Sequence, residues 1–170
     1  MTSLLEKLLA QGVNLQTFTP VSKIGKSGEE WLVSTPRGNI QAPTVIHASN
    51  GYAADLIPEM KDKIVPTRGI CCRIVPKNPT QWSNHSYMLR HSDWAFDYLI
   101  SRTDGSIIVG GARQESYEQL DSWFDNSDDS TLIEQAKNYF DGYMQRTFYG
   151  WDDSDASVDR IWTGSKLNET

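Results

Sequence analysis

The 170-residue chain is 38% hydrophobic and 11% aromatic, enough apolar surface to bury a core and to exclude a disordered tail. Its net charge of -6 argues against a nucleic-acid surface, which concentrates Lys and Arg on one face to meet phosphates. No apolar run approaches the roughly 20 residues that cross a bilayer, and the region after Met1 lacks a basic start with an apolar run, so neither a membrane span nor a secretory signal is expected and the expected compartment is cytoplasmic or otherwise intracellular.

Ser3 and Glu6 stand at capping-box spacing, and Leu4, Leu5, Leu8 and Leu9 make one apolar stripe before Gly12; a short helix is expected to open the chain. Val13, Leu15 and Thr17 alternate with polar residues, and Val21 and Ile24 continue that extended pattern to a break at residues 25–28. Trp31 and Val33 predict another strand, Pro36-Arg37-Gly38 a turn, and Ile40 a short return strand. Thr44-Val45-Ile46-His47-Ala48 is nearly all apolar, the pattern of a strand covered on both faces in a parallel sheet, with His47 as a packed side chain. Ser49-Asn50-Gly51 then predicts a sharp turn into a short helix over residues 52–56, ended before Pro58.

From Ile64 onward strands dominate. Extended runs are predicted over 64–75 and 87–89, and over 96–102 and 106–111, which flank Asp104-Gly105, a strong hairpin signal. In that hairpin Phe96, Tyr98 and Ile100 share one face. A helix capped by Asp129 or Ser130 is expected to bury Leu132, Ile133, Ala136, Phe140 and Met144. Val158, Ile161 and Trp162 predict a last strand, and residues 165–170 a polar tail. The acidic patches at 121–129 and 152–159 read as solvated loops.

His47, His85 and His91 have no metal-ligand spacing, so no metal site is expected, and no G-x-S-x-G elbow supports a hydrolase. Cys71 and Cys72 are adjacent, poor geometry for a disulfide, and are expected to stay reduced. Gly110-Gly111 ends an apolar strand with no helix pattern after it, which suits a bend or a close approach rather than a phosphate loop.

A set of motifs in order carries a resemblance. Thr19-Pro20-Val21, Trp31-x-Val33-x-Thr35-x-x-Gly38-x-Ile40, the run from Thr44 through Tyr52, Pro66-Thr67-Arg68-Gly69, Tyr98-Leu99-Ile100-Ser101-Arg102-Thr103-Asp104-Gly105 with Val109-Gly110-Gly111, and Trp162-Thr163-Gly164 follow one another across nearly the whole chain. Together they resemble the D-amino-acid-oxidase superfamily of FAD-dependent oxidoreductases, in wording most similar to fungal-type members akin to glutamylputrescine oxidases. The resemblance implies an α/β fold mixed with antiparallel sheet: a partial Rossmann-like FAD-binding domain over residues 1–60 and an antiparallel-sheet substrate domain over 61–164. It implies FAD as cofactor, with Val21 beside the adenine and Ala48, Ser49, Asn50 and Gly51 running past the cofactor. Phe96 and Tyr98 would face the substrate, a small-molecule amine or amino acid oxidised to its imine with oxygen as acceptor. Arg68 sits at the entry to the substrate domain, where a structural role is at least as well motivated as a catalytic one.

The sequence also departs from the family pattern. It carries no G-x-G-x-x-G turn for the FAD pyrophosphate, so the chain is expected to be an internal piece of such an enzyme and to be inactive alone. Ser165-Lys166-Leu167-Asn168 differs from the segment where some relatives place a carboxylate-binding Arg. The alternative from another class is a non-catalytic fragment or pseudo-enzyme acting through protein association; a sugar-binding module, suggested only by the six tryptophans and seven tyrosines, is weaker because they are scattered.

Overall fold

The structure is a computed structural model that describes residues 2–78 and 82–169, with side chains for residues 3–78 and 82–165. Lys166, singled out above, therefore has its side chain outside the described residues. The chain divides into two compact units, residues 1–48 and 49–170.

The first unit opens with helix α1 (Thr2–Ala10), stopped where Gly12 takes a left-handed φ of 89°. A three-stranded antiparallel meander follows: β1 (Lys23–Ser27), β2 (Glu30–Thr35) and β3 (Gly38–Ala42), with Val33 paired to both Ile24 and Ile40. The expected extension over 13–22 forms no strand; Val13 and Leu15 are exposed, and Arg37 ties this loop through Gln16 (2.9 Å) and Thr19 (3.3 Å). The break is also narrower than expected, because Gly25 and Ser27 stay in the ladder and only Gly28, at φ 67°, turns the chain. Residues 44–48 are likewise not a strand. Ile46 is 86% exposed and His47 is exposed. An apolar run becomes a buried strand only when ladder partners flank it, and among the described residues nothing pairs with this one.

The second unit starts with the expected sharp turn: a single helical turn over Asn50–Tyr52, Asn50 at φ 51°, leads into α2 (Ala53–Leu56). Its frame is a sheet of five strands, β4 (Ile64–Val75), β5 (Ser86–Arg90), β6 (Phe96–Ser101), β7 (Ile107–Gly111) and β8 (Ser157–Glu169), all pairing antiparallel. Across the sheet they stand in the order β5-β6-β7-β4-β8. β8 extends through the stretch expected to be a polar tail. One face of the sheet carries the core: Ile70, Cys72 and Ile74 from β4, Leu99 from β6, Ile107 and Val109 from β7. Over them pack Trp123, Ile133, Ala136, Phe140, Tyr143 and Met144. The helical spacing of these last residues is real, yet no continuous helix carries them. A turn at Glu134–Ala136 and helix α4 (Tyr143–Thr147) are separated by Gly142, which at φ 62° breaks the helical ladder. At the N-terminal side, Asp128 rather than Asp129 or Ser130 accepts the local bonds, from Ser130 N (2.9 Å), Ser130 Oγ (2.5 Å) and Thr131 Oγ1 (2.6 Å). These donors hold the Asp128 carboxyl down at about 2.

The β6–β7 hairpin forms as read, Ser101 opposite Ile107, around Gly105 at φ 78°. Asp104 pins the loop by accepting from Ser106 N (3.0 Å) and Ser106 Oγ (2.5 Å), bonds that lower its carboxyl to about 2. Both cysteines are free thiols; burial pushes Cys72 up to about 12.

Candidate active site

Strand β6 has two different faces. Asp97 and Leu99 are fully buried on the core side, whereas Phe96, Tyr98 and Ile100 stand on the other. Tyr98 lies across the ladder from Gly110, which in turn pairs with Cys71. That register puts the three on one face, and Tyr98 Oη lies 2.9 Å from Cys71 Sγ, either atom able to donate. The glycine is required: a Cβ at residue 110 would overlap the Tyr98 ring. Burial, reinforced by the Cys71 contact and nearby negative charge, raises the Tyr98 phenol, so it stays a neutral donor through the physiological range.

At the end of this hairpin lies a cavity of about 220 Å³. Phe96 and Tyr98 line it together, joined by Trp94, Trp123, Ile70 and Ile133 as apolar wall and by Thr67, Gly69, Gly111 and Ser116. Arg68 and Arg113 bring positive charge. Arg68 donates to Ser122 O (2.9 Å), to Thr131 O and to Thr131 Oγ1 (3.0 Å), which ties β4 to the segment roofing the core. Arg113 opens the short helix α3 (Arg113–Ser116). Its guanidinium lies over the rings of Trp123 (4.9 Å) and Tyr117 (5.4 Å), and Tyr117 in turn packs on Trp94 at 4.4 Å between ring centres.

Beneath the cavity wall sits a buried carboxylate. Asp97, 0% exposed, accepts from Ala112 N (2.9 Å) on one oxygen; its other oxygen takes His91 Nε2 (2.8 Å), Tyr139 Oη (2.6 Å) and Tyr143 Oη (2.7 Å). Burial and the carboxylate raise both phenols, Tyr139 to about 12 and Tyr143 further. The second glycine of Gly110-Gly111 serves this hub: Gly111 is at φ 141°, and a Cβ there would lie 2.8 Å from Asp97 Cα. The pair thus marks two close approaches, as its sequence context suggested.

The residues expected along the cofactor fall in both units. Val21 is half-buried and Ala48 exposed in the first. Ser49, Asn50 and Gly51 form one turn of the second, with Gly51 buried, and this turn packs on β4 and β8. Nearby on the sheet, β4 and β8 pair Arg68 with Ser165 and Ile70 with Thr163, so Arg68, Thr163 and Ser165 share a face. Ser49 Oγ, Arg68 Nε, Thr163 Oγ1 and Ser165 Oγ are all buried without a hydrogen-bond partner among the described residues. Among the described residues no group of side chains is arranged to hold a metal, and no helix is long and apolar enough to cross a membrane.

The sequence reading missed Asp97, Trp94, Arg113 and Trp123. Asp97 did carry a signal, a lone charge inside the apolar run from Phe96 to Ile100, where a buried charge demands partners. Trp94 and Trp123 reach the cavity from loops whose paths no local pattern encodes.

A family model described as FAD dependent oxidoreductase (DAO) matches residues 1–166. The glycine oxidase of Bacillus subtilis is 21% identical over 162 residues, which is 90% of this chain and 37% of that protein. Among solved structures, glycine oxidase from Geobacillus kaustophilus superposes with a TM-score of 0.66 at 16% identity, covering 95% of this chain and 39% of its own length. L-proline dehydrogenase from P. horikoshii gives 0.62 at 19%, with 96% and 41% covered. NikD, an amino acid oxidase essential for nikkomycin biosynthesis, gives 0.59 at 14%, with 99% and 44% covered. The chain therefore spans about two-fifths of the length of the relatives it matches.

Proposed function

The chain belongs to the DAO family of FAD-dependent oxidoreductases, and from that premise we propose that it forms the substrate wall, and part of the cofactor wall, of an intracellular enzyme oxidising a small amine or amino acid to its imine with oxygen as acceptor. In this reading residues 1–60 are part of the FAD-binding domain and 61–164 most of the substrate domain. The motif wording favours relatives akin to glutamylputrescine oxidases, while the names of the matched proteins favour small amino acids. The observation that carries the reading is Tyr98, a neutral phenol held over Gly110 beside an aromatic-walled cavity, where most small-ligand sites place their few polar groups.

The residues present fit FAD. The buried Gly51 in its turn lets a flat ring approach backbone, and the unspent hydroxyls of Ser49, Thr163 and Ser165 suit the polar edge of such a ring. Val21 supplies an apolar contact for the adenine, and Ala48, Ser49, Asn50 and Gly51 run along the cofactor. When bound, the flavin supplies the hydride acceptor. This chain's own residues orient the substrate: Tyr98 Oη donates to its polar group, Phe96 and Trp123 exclude water and hold the reacting C–H bond toward the open side, and the Asp97 hub fixes β6 beneath them.

The test joins this chain to a G-x-G-x-x-G segment that holds FAD and follows anaerobic bleaching of the oxidised-flavin band. Bleaching by amino acids or amines, and its loss in Phe96 and Tyr98 variants, supports the reading; a flavin reduced by none of them refutes it. A non-catalytic role through protein association is favoured by the exposed Phe18 and Ile46 of the first unit, and would survive that refutation.

A further inference from the structure

Among the described residues, the cavity is lined by positive charge and no negative charge. In a chain whose acidic residues outnumber its basic ones by 22 to 16, it holds Arg68 and Arg113 while no carboxylate among the described residues lines it. Arg68 has given two of its nitrogens to Ser122 and Thr131, leaving Nε buried without an acceptor. Arg113 forms no ion pair among the described residues. Its guanidinium is held over Trp123 and Tyr117 instead, an arrangement that preorganises the fork for a carboxylate without consuming its N–H groups. Apolar side chains, Ile70, Phe96 and Trp123 among them, share the wall with the two cations. Two like charges facing one cavity repel until anions enter, so a cationic amine is disfavoured and a ligand with a single anion leaves one guanidinium unmatched.

We infer that this cavity selects an amino acid carrying a second carboxylate, with Arg113 as the specificity-determining residue that receives it and the first carboxylate met from the Arg68 side. The inference rests on the reading of this cavity as the substrate pocket. The cavity volume of about 220 Å³, the liquid volume of roughly seven waters, suits a ligand of that size with a short methylene spacer.

Trp94 and Trp123 stand in the wall, so tryptophan fluorescence of the 170-residue chain reads occupancy directly, with no flavin needed. Glutarate, butyrate and butylammonium are titrated into the native chain and into Arg113→Gln and Arg113→Lys, with circular dichroism to confirm that each variant folds. Glutarate is expected to half-saturate at a concentration about tenfold below butyrate, and butylammonium to bind more weakly than either. Arg113→Gln should abolish the glutarate advantage while moving butyrate less than about twofold, and Arg113→Lys should restore part of it. An equal glutarate-to-butyrate ratio in the native chain, or an unchanged ratio in Arg113→Gln, overturns the inference. The two readings fail separately: flavin bleaching by amino acids without any dicarboxylate preference defeats this inference alone, and a dicarboxylate preference without bleaching by any substrate defeats the enzyme reading alone.

Discussion

Replacing Asp97 with Asn changes one atom at the centre of the second unit, and the structure allows the cost to be worked out. The oxygen bonded to Ala112 N survives. The other becomes an NH₂ facing three donors: His91 Nε2, Tyr139 Oη and Tyr143 Oη. Hydroxyls can turn and accept, so the contacts are not all lost; what disappears is the charge assistance. Hydrogen bonds to a charged group contribute about 1.5–3 kcal/mol against about 0.5–1.5 for neutral pairs, so three weakened bonds amount to about 3 kcal/mol. Against this stands the desolvation of a buried carboxylate, which Asn relieves. Here that relief is small, because the carboxylate already has four donors and a half-exposed imidazole beside it. With a urea m-value of about 2 kcal/mol/M for a chain of this size, the midpoint should fall by about 1.5 M with m unchanged. Asp97→Ala, which also strands the Ala112 N–H, the buried Tyr143 phenol and the half-buried Tyr139 phenol, should cost about 5 kcal/mol. A midpoint for Asp97→Asn within about 0.25 M of the parent would refute the reasoning and mean that burial of the anion cancels its bonds.

Tyr98→Phe in the FAD-loaded enzyme should lower kcat/KM about tenfold or more while the melting temperature changes little, because the Cys71 contact it removes is a half-buried bond of about 1 kcal/mol; steady-state kinetics beside a melting curve check both, and unchanged turnover with a lowered Tm would make Tyr98 a packing residue. The Asp104 carboxyl, held near 2 chiefly by Ser106, contributes stability that is fully present above its ordinary value of 3.8 and is lost as pH falls from there through 2. An NMR titration of the side-chain carbon should therefore show a midpoint near 2 that moves up toward 3.8 in Ser106→Ala, which keeps the backbone donor, and an unmoved midpoint would rule out the Ser106 hydroxyl bond as the chief cause. The 170-residue chain alone, lacking a G-x-G-x-x-G turn, should bind FAD weakly, since the pyrophosphate has no glycine turn and helix N-terminus to rest on; stoichiometric retention in equilibrium dialysis at micromolar concentrations would contradict this.

What the sequence made legible follows the range of the physics involved. The β6–β7 hairpin was readable because alternation on both sides and Asp104-Gly105 fix the same register within sixteen residues. The turn at Ser49-Asn50-Gly51 and the meander around Gly38 were readable for the same reason. Residues 44–48 were misread because an apolar run states what it would do with neighbours, and the neighbours are a tertiary matter. The run from Leu132 to Met144 was misread in a subtler way. Its burial periodicity is helical and correct, but Gly142 at φ 62° lets the chain present that period from separate turns, which the count of apolar positions cannot distinguish from one helix. Tyr98 was named from the family resemblance and Phe96 by parity along the strand, and both line the cavity. Trp94, Arg113 and Trp123 were not named, since they converge from the β5–β6 and β7–β8 connections.

Parity along β6 also separates stability from chemistry. The residues facing inward, Asp97 and Leu99, are fully buried and bind the sheet to the segment above it. Those facing outward, Phe96 and Tyr98, line the cavity and leave little of the core dependent on them. Adjacent glycines on the neighbouring strand serve the two faces in turn, Gly110 making room for the Tyr98 ring and Gly111 for the Asp97 backbone. A side chain at either position is excluded for a different reason, one displacing a cavity phenol and the other a buried carboxylate. Substitutions at Phe96 or Tyr98 are therefore expected to change the cavity while the carboxylate hub behind them holds the strand, whereas Ile70, Trp123 and Ile133 serve core and cavity at once.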